Sequence, residues 1–118
     1  MSYIYYFIDK FEESEILSLD RRINVIYRNY IDKNDEHKIK ELVKFCKKFN
    51  KKIFISNRVR LALKHNFDGL YIPAFNNLMK LRVLKQRSNF KIIGSAHNYQ
   101  EIKIKENQGC EEIFISPI

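Results

Sequence analysis

The stretch Gly94-Ser95-Ala96-His97-Asn98 follows the apolar run Lys91-Ile92-Ile93. A serine and a histidine at the end of a buried strand need partners, because polar groups pulled out of water lose their hydrogen bonds. Serine supplies a hydroxyl that can hold an anion. Histidine exchanges a proton near neutral pH. The pattern recurs along the chain. Arg28, Asn29 and Tyr30 follow one apolar run; Ser56, Asn57 and Arg58 follow another; Pro73, Asn76 and Asn77 follow a third; Ser116 and Pro117 follow the last. An arginine that ends an apolar strand calls for an anionic partner. The chemistry within reach is anion binding with a proton carrier beside it. Taken singly, Asn and Ser at these places also serve as turn and N-cap residues, and His97 alone reads equally as a loop histidine bonded to the backbone. Lys64 and His65 read as a solvated helix end.

The elements that must carry these residues alternate between two hydrophobic periods. Residues 3–8, 23–28, 52–56, 69–72, 91–94 and 112–116 are short runs rich in β-branched and aromatic residues, bounded by polar ones. That is the signature of buried strands. Their apolarity is continuous rather than alternating, which suits a parallel sheet covered on both faces. Between them lie helical patterns. In residues 35–49 the apolar positions Ile39, Leu42, Val43, Cys46 and Phe49 recur at helical spacing. Leu78, Leu81, Val83 and Leu84 give a looser stripe. Residues 99–107 form another helix, with Ile102 inward and Gly109 as its C-terminal stop. Residues 58–66 form a short helix with Leu61 and Ala62 inward, and 12–20 is the weakest. The order predicts six strands and five helices joined by right-handed βαβ crossovers, in one domain over residues 1–118.

The rest of the composition bounds the function. With 45% hydrophobic residues the chain can bury a core. The net charge of +8 invites a nucleic-acid reading, but the lysines are spread over helix faces, so no nucleic-acid partner is expected. Two cysteines, Cys46 and Cys110, lack metal-ligand spacing and read as reduced thiols of a cytoplasmic protein. The N-terminal apolar run is met at once by acids and reads as a strand, not a secretory signal. No run approaches the roughly 18–20 apolar residues of a membrane span.

Several of these motifs together resemble one family. Ile55-Ser56-Asn57-Arg58-Val59-Arg60-Leu61-Ala62, followed by Asp68-Gly69-Leu70-Tyr71-Ile72, is similar to a paired segment of thiamine-phosphate synthase and its thiazole tautomerase (TenI-like) relatives. Ser95-Ala96-His97 resembles their Ser-x-His after the fifth strand. Gly109 to Ile118 resembles their segment ending in Ser-Pro-Ile, and Val25 to Arg28 occupies the place of their Gln-x-Arg strand.

The resemblance implies a (β/α)8 barrel of the TIM type acting on phosphorylated thiazole or aminopyrimidine precursors of thiamine. In the synthase these are joined with loss of pyrophosphate, which Mg²⁺ neutralises; in the tautomerase branch a histidine moves a proton on the thiazole. Carried over by position, Arg28 and Ser95 contact the phosphate groups and His97 is the acid or base. Ser56 and Asn57 fall at the asparagine and metal-binding aspartate, and Asn76 at a second metal aspartate. Both carboxylates are therefore amides here. Asparagine offers one neutral oxygen, a poor ligand for Mg²⁺. The lysine expected two residues after Arg28 is Tyr30. These departures argue against synthase chemistry, leave no metal ligands, and favour a tautomerase-like activity. The alternative is an inactive or fragmentary barrel that at most binds a phosphorylated thiamine precursor. Six strands are fewer than a closed barrel takes. The expectation is therefore a piece of a longer protein, a natural truncation, or a barrel completed by a second copy.

Overall fold

The computed structural model describes residues 4–116. Six strands alternate with helices: β1 (Ile4–Ile8), α1 (Glu13–Leu17), β2 (Ile23–Tyr27), α2 (Glu36–Lys48), β3 (Ile53–Ser56), α3 (Val59–Lys64), β4 (Gly69–Ile72), a 3₁₀ segment (Met79–Gln86), β5 (Lys91–Ala96), α4 (Tyr99–Asn107) and β6 (Glu112–Ile115). The strands form one parallel sheet in the order β1-β2-β3-β4-β5-β6. The order never reverses, so every crossover runs the same way and the helices all lie on one side. That is barrel-type winding, distinct from the doubly wound sheets in which strand order switches. Pro117 and Ile118, the end of the last quoted motif, lie outside the described residues.

The pleat divides each strand between two cores. Outward-pointing Val25, Ile53, Ile55, Leu70, Ile72 and Ile92 pack beneath Ile16, Ile39, Leu42, Cys46, Leu61 and Ala62 of the helices. Inward-pointing Ile26, Phe54, Tyr71 and Ile93 form a second cluster with Tyr5, Phe7 and Phe114. The sheet curls far enough that its two edge strands meet over this inner face. Tyr5 of β1 lies 5.2 Å from the Phe114 ring of β6, and its hydroxyl donates to Glu112 at 3.2 Å. Lys91 of β5 pairs with the same carboxylate. The expectation of a sheet covered on both faces therefore holds by two different means, helices outside and aromatic rings inside.

Gly69 makes room for this inner packing. A Cβ there would sit 2.0 Å from the Lys91 carbonyl and 2.5 Å from the Phe54 ring. With only three glycines in the chain, left-handed backbone falls to asparagine, which tolerates it better than other side chains. Asn50 (φ 57°) and Asn66 (φ 57°) sit just past the ends of α2 and α3, where a glycine usually stands.

Three sequence expectations are corrected. The predicted helix over Leu78, Leu81, Val83 and Leu84, fourth in chain order, is the 3₁₀ segment: Leu81 and Leu84 are buried while Leu78 and Val83 are exposed. A three-residue spacing puts one face of a 3₁₀ helix inward, which is why the stripe looked loose for an α-helix. In α4, Ile102 is only half-buried, and the fully buried side chain is Lys105. His65 is not solvated; its Nε2 lies 2.8 Å from Glu36, which also pairs with Lys64 at 2.7 Å. Cys46 and Cys110 are free, and burial pushes both thiols up to about 12. No helix among the described residues is long and apolar enough to cross a membrane.

Candidate functional site at the C-terminal rim of the sheet

All six candidate residues lie at the C-terminal ends of strands or in the loops that follow. In parallel α/β folds these positions gather at one rim, because every strand points the same way. A cavity of about 500 Å³ opens there, lined by Arg28, Tyr30, Tyr71, Ser95, His97 and Glu101 among others. It brings together three of the six candidates: Arg28, Ser95 and His97. Ser56, Asn57 and Asn76 do not line it. They are tied to it from behind.

Arg28 follows β2. Its backbone N–H donates to Ile8, and its guanidinium lies 4.2 Å over the Phe7 ring. The side chain is exposed, so burial does not force a partner on it as the sequence reading supposed. Among the described residues no carboxylate reaches ion-pair distance of Arg28. The charge is aimed by the ring and left open to solvent.

Two hydroxyl pairs stand beside it. Ser95 Oγ lies 2.6 Å from the Tyr71 hydroxyl, and buried Ser56 Oγ lies 2.6 Å from the Tyr30 hydroxyl. Each pair holds two O–H groups but needs only one for its own bond, so each retains a donor. Burial raises the Tyr71 pKa, with Ser95 and the nearby Arg28 charge opposing it, and the phenol stays protonated as a donor.

His97 projects from the β5–α4 turn. Asn98 caps α4 by accepting from the Glu101 N–H at 2.9 Å. Glu101 in turn accepts from the His97 backbone N–H at 2.7 Å and faces His97 Nδ1 at 3.1 Å. The two bonds, a variant of the capping box in which Glu101 reaches the residue before the cap, fix the turn. A carboxylate at Nδ1 selects the tautomer protonated there, which leaves Nε2 with its lone pair.

Asn57 and Asn76 occupy the two positions at which the resemblance places metal carboxylates. They bind each other: Asn76 Nδ2 donates to Asn57 Oδ1 at 2.6 Å. Asn57 sits in left-handed backbone (φ 68°) and donates its N–H to the Tyr71 carbonyl at 2.9 Å. The donor set present does not fit a hard divalent cation. Among the described residues no three His, Cys, Asp or Glu side chains converge, and the carbonyl ends of both amides are already accepting hydrogen bonds.

Two buried networks position these loops, and neither was legible in the sequence. Behind Asn57, Arg58 makes two 2.9 Å bonds to Asp35, which also accepts from Tyr27 at 2.6 Å. Burial alone would push the Asp35 carboxyl up, but the Arg58 and Tyr27 hydrogen bonds and the Arg58 charge hold it below the usual carboxylate range. Behind Asn76, its carbonyl accepts from Lys105 Nζ at 2.8 Å and Gln108 Nε2 at 3.0 Å. Burial lowers the Lys105 pKa.

The comparisons with known proteins agree with this architecture. The family model described as thiamine monophosphate synthase matches residues 19–118. The thiamine-phosphate synthase of Prochlorococcus marinus subsp. pastoris is 31% identical over 100 residues, covering 81% of this chain and 28% of that protein. That of Bacillus licheniformis is 34% identical over 74 residues, covering 62% of this chain and 32% of that protein. The chain thus spans about a third or less of the curated relatives' length. A solved thiamine phosphate pyrophosphorylase from Pyrococcus furiosus superposes with a TM-score of 0.68 at 17% identity, over 94% of this chain and 58% of that one; at that identity the likeness speaks to the fold, a TIM-barrel type with six of its strands present. The strand order, the rim and the match across most of the sequence lead to one assignment: the chain belongs to the thiamine monophosphate synthase family.

Proposed function

We propose that this chain binds a phosphorylated thiamine precursor at the C-terminal rim of its curled sheet, in the service of cytoplasmic thiamine biosynthesis. The observation that carries the reading is Arg28, held over Phe7 without a carboxylate partner among the described residues and bordering the same cavity as the Tyr71–Ser95 pair. A guanidinium and the spare O–H of that pair in one cavity suit a phosphate dianion, since charge-assisted hydrogen bonds are the strong ones. The test is titration of the isotope-labelled chain with thiazole phosphate carboxylate, followed by amide NMR. Saturable shifts at Arg28, Tyr71 and Ser95 support the reading. Shifts elsewhere, or none, overturn it.

A second reading, proton transfer on the bound thiazole, is favoured by one further observation. Glu101 engages His97 at Nδ1 and leaves Nε2 as an acceptor in the same cavity. Nε2 takes a proton from one position of the ring, and the imidazolium returns it at another, so protons balance and no redox partner is needed. Proton NMR of the tautomer mixture distinguishes this from binding alone: interconversion by the native chain and not by His97→Ala supports catalysis, and equal rates exclude a role for His97.

A further inference from the structure

The two asparagines carry more than the loss of a metal site. We propose that the Asn57–Asn76 amide clasp replaces a divalent-ion bridge, so that the rim takes its phosphorylated ligand without Mg²⁺. The inference rests on the phosphate-binding reading of the same rim and deepens it.

Charge is the first argument. Two aspartates at these positions would add two negative charges to the loops after β3 and β4, and a phosphate could approach only with a cation between. Two amides carry no net charge. The phosphate then meets the Arg28 guanidinium and the hydroxyl pairs without a repulsion to neutralise, and the reason for the cation is gone.

Geometry is the second. The clasp turns the donor end of Asn76 onto the acceptor end of Asn57 at 2.6 Å. Asn76 Oδ1 accepts from the Leu78 N–H at 2.9 Å. A cation would have to break both bonds to gain two neutral oxygens, whereas Mg²⁺ favours carboxylates, phosphates and water in strict octahedral geometry. Nor can a neighbouring acid substitute. Among the described residues Glu101 is the one carboxylate lining the cavity, and its Oε1 takes both the backbone N–H and the Nδ1 contact of His97.

Rigidity is the third. Asn57 is held in left-handed backbone between Ser56, bonded to Tyr30, and Arg58, bonded to Asp35. Asn76 is held at its carbonyl by Lys105 and Gln108. Both asparagines are fixed from outside the clasp, so their amides meet by construction of the loops. The clasp joins the β3 and β4 loops as a bridging ion would, with a neutral hydrogen bond in place of charge.

Two measurements on the full chain test the proposal. The first is Mn²⁺ titration, a paramagnetic stand-in for Mg²⁺, read by broadening of the Asn57 and Asn76 side-chain NH₂ resonances. The native chain is expected to show no selective broadening, and the Asn57→Asp, Asn76→Asp double variant to show selective broadening of its neighbouring amides. Selective broadening in the native chain overturns the clasp, whether or not the variant folds. The second is inorganic phosphate binding with EDTA or with Mg²⁺. The expected dissociation constants agree within about twofold, against the tenfold change that about 1.4 kcal/mol would produce. Binding only with Mg²⁺ overturns the proposal. Binding under neither condition overturns the phosphate reading of the rim, while the Mn²⁺ result still decides the clasp.

Discussion

Asp35 and Arg58 meet through two parallel hydrogen bonds of 2.9 Å, and the Tyr27 hydroxyl donates to the same carboxylate at 2.6 Å. One fully buried acid thereby joins the end of β2, the start of α2 and the turn that carries Asn57. Its worth can be read against pH. The carboxyl is held below its ordinary range in the fold, so the network stabilises at pH above about 4, where the unfolded aspartate is ionised. That stability is lost as acidification passes through the lower folded-state value. Arg58→Ala leaves Asp35 buried with the Tyr27 hydrogen bond but no countercharge, and a loss of about 3 kcal/mol near neutral pH is expected. Urea unfolding should show the gap between native and variant narrowing in acid, as Asp35 takes up a proton. An unchanged gap would show that packing, and not the ion pair, sets the loss.

Arg28→Met keeps the apolar stem over Phe7 and removes the charge. Phosphate affinity should fall about ten- to a hundredfold, the range of 1.5–3 kcal/mol for a hydrogen bond to a charged group, with little change in thermal stability. Calorimetric titration measures the first and a thermal scan the second. A variant that binds as tightly as the native chain would move the anion site away from β2.

His97→Ala should slow any tautomer interconversion by about a hundredfold or more, the usual share of a positioned acid–base group. Glu101→Ala should also slow it, by releasing Nδ1 and the turn, and should destabilise the start of α4. The informative result is Glu101→Gln, which still accepts a hydrogen bond at Nδ1 and should retain more activity than Glu101→Ala. The order of the three rates, taken from proton NMR time courses, is the check.

Gly69→Ala places a methyl against the Lys91 carbonyl and the Phe54 ring, at 2.0 and 2.5 Å without movement. Backbone is the first obstacle and cannot step aside locally. Destabilisation of at least 1–3 kcal/mol is expected from overpacking, seen as a lower midpoint in denaturant.

Cys46 and Cys110, with thiols pushed up to about 12 by burial, should resist alkylation in the native chain at mildly alkaline pH and react fast once it is unfolded. Mass spectrometry after a timed iodoacetamide pulse measures this. Fast native labelling at Cys110 would mean that the turn after α4 opens readily.

The sequence made the strands and the rim readable because both follow from short-range rules. Ile53–Ser56 and Gly69–Ile72 announce themselves by continuous apolarity, and parallel direction then puts Ser56, Ser95 and His97 at one end. What stayed hidden depends on meetings between distant segments. Lys105 looks like any solvent-facing lysine until the Asn76 carbonyl, 29 residues away in sequence, accepts its hydrogen bond. Asp35 reads as a helix start, and nothing local says that Arg58 will reach it. His65 reads as solvated from its neighbours alone because its partner, Glu36, lies 29 positions earlier. The Asn57–Asn76 bond is of the same kind: the residue types were visible as departures from the family, but their pairing was not.

The contact between Tyr5 and Glu112 joins residues 107 positions apart, and this has a kinetic consequence. Each strand pair in this sheet is separated by a crossover, so no ladder can zip from a hairpin. The outer core can assemble piecewise, one helix docking on one pair of strands. The ring cluster inside the curl cannot: Tyr5 finds Phe114 only after all five crossovers have closed, with the chain entropy of each already spent. Closure of the inner face is therefore expected late in folding, and the rim cavity, lined by Phe7, Tyr71 and Phe114, should take shape with it.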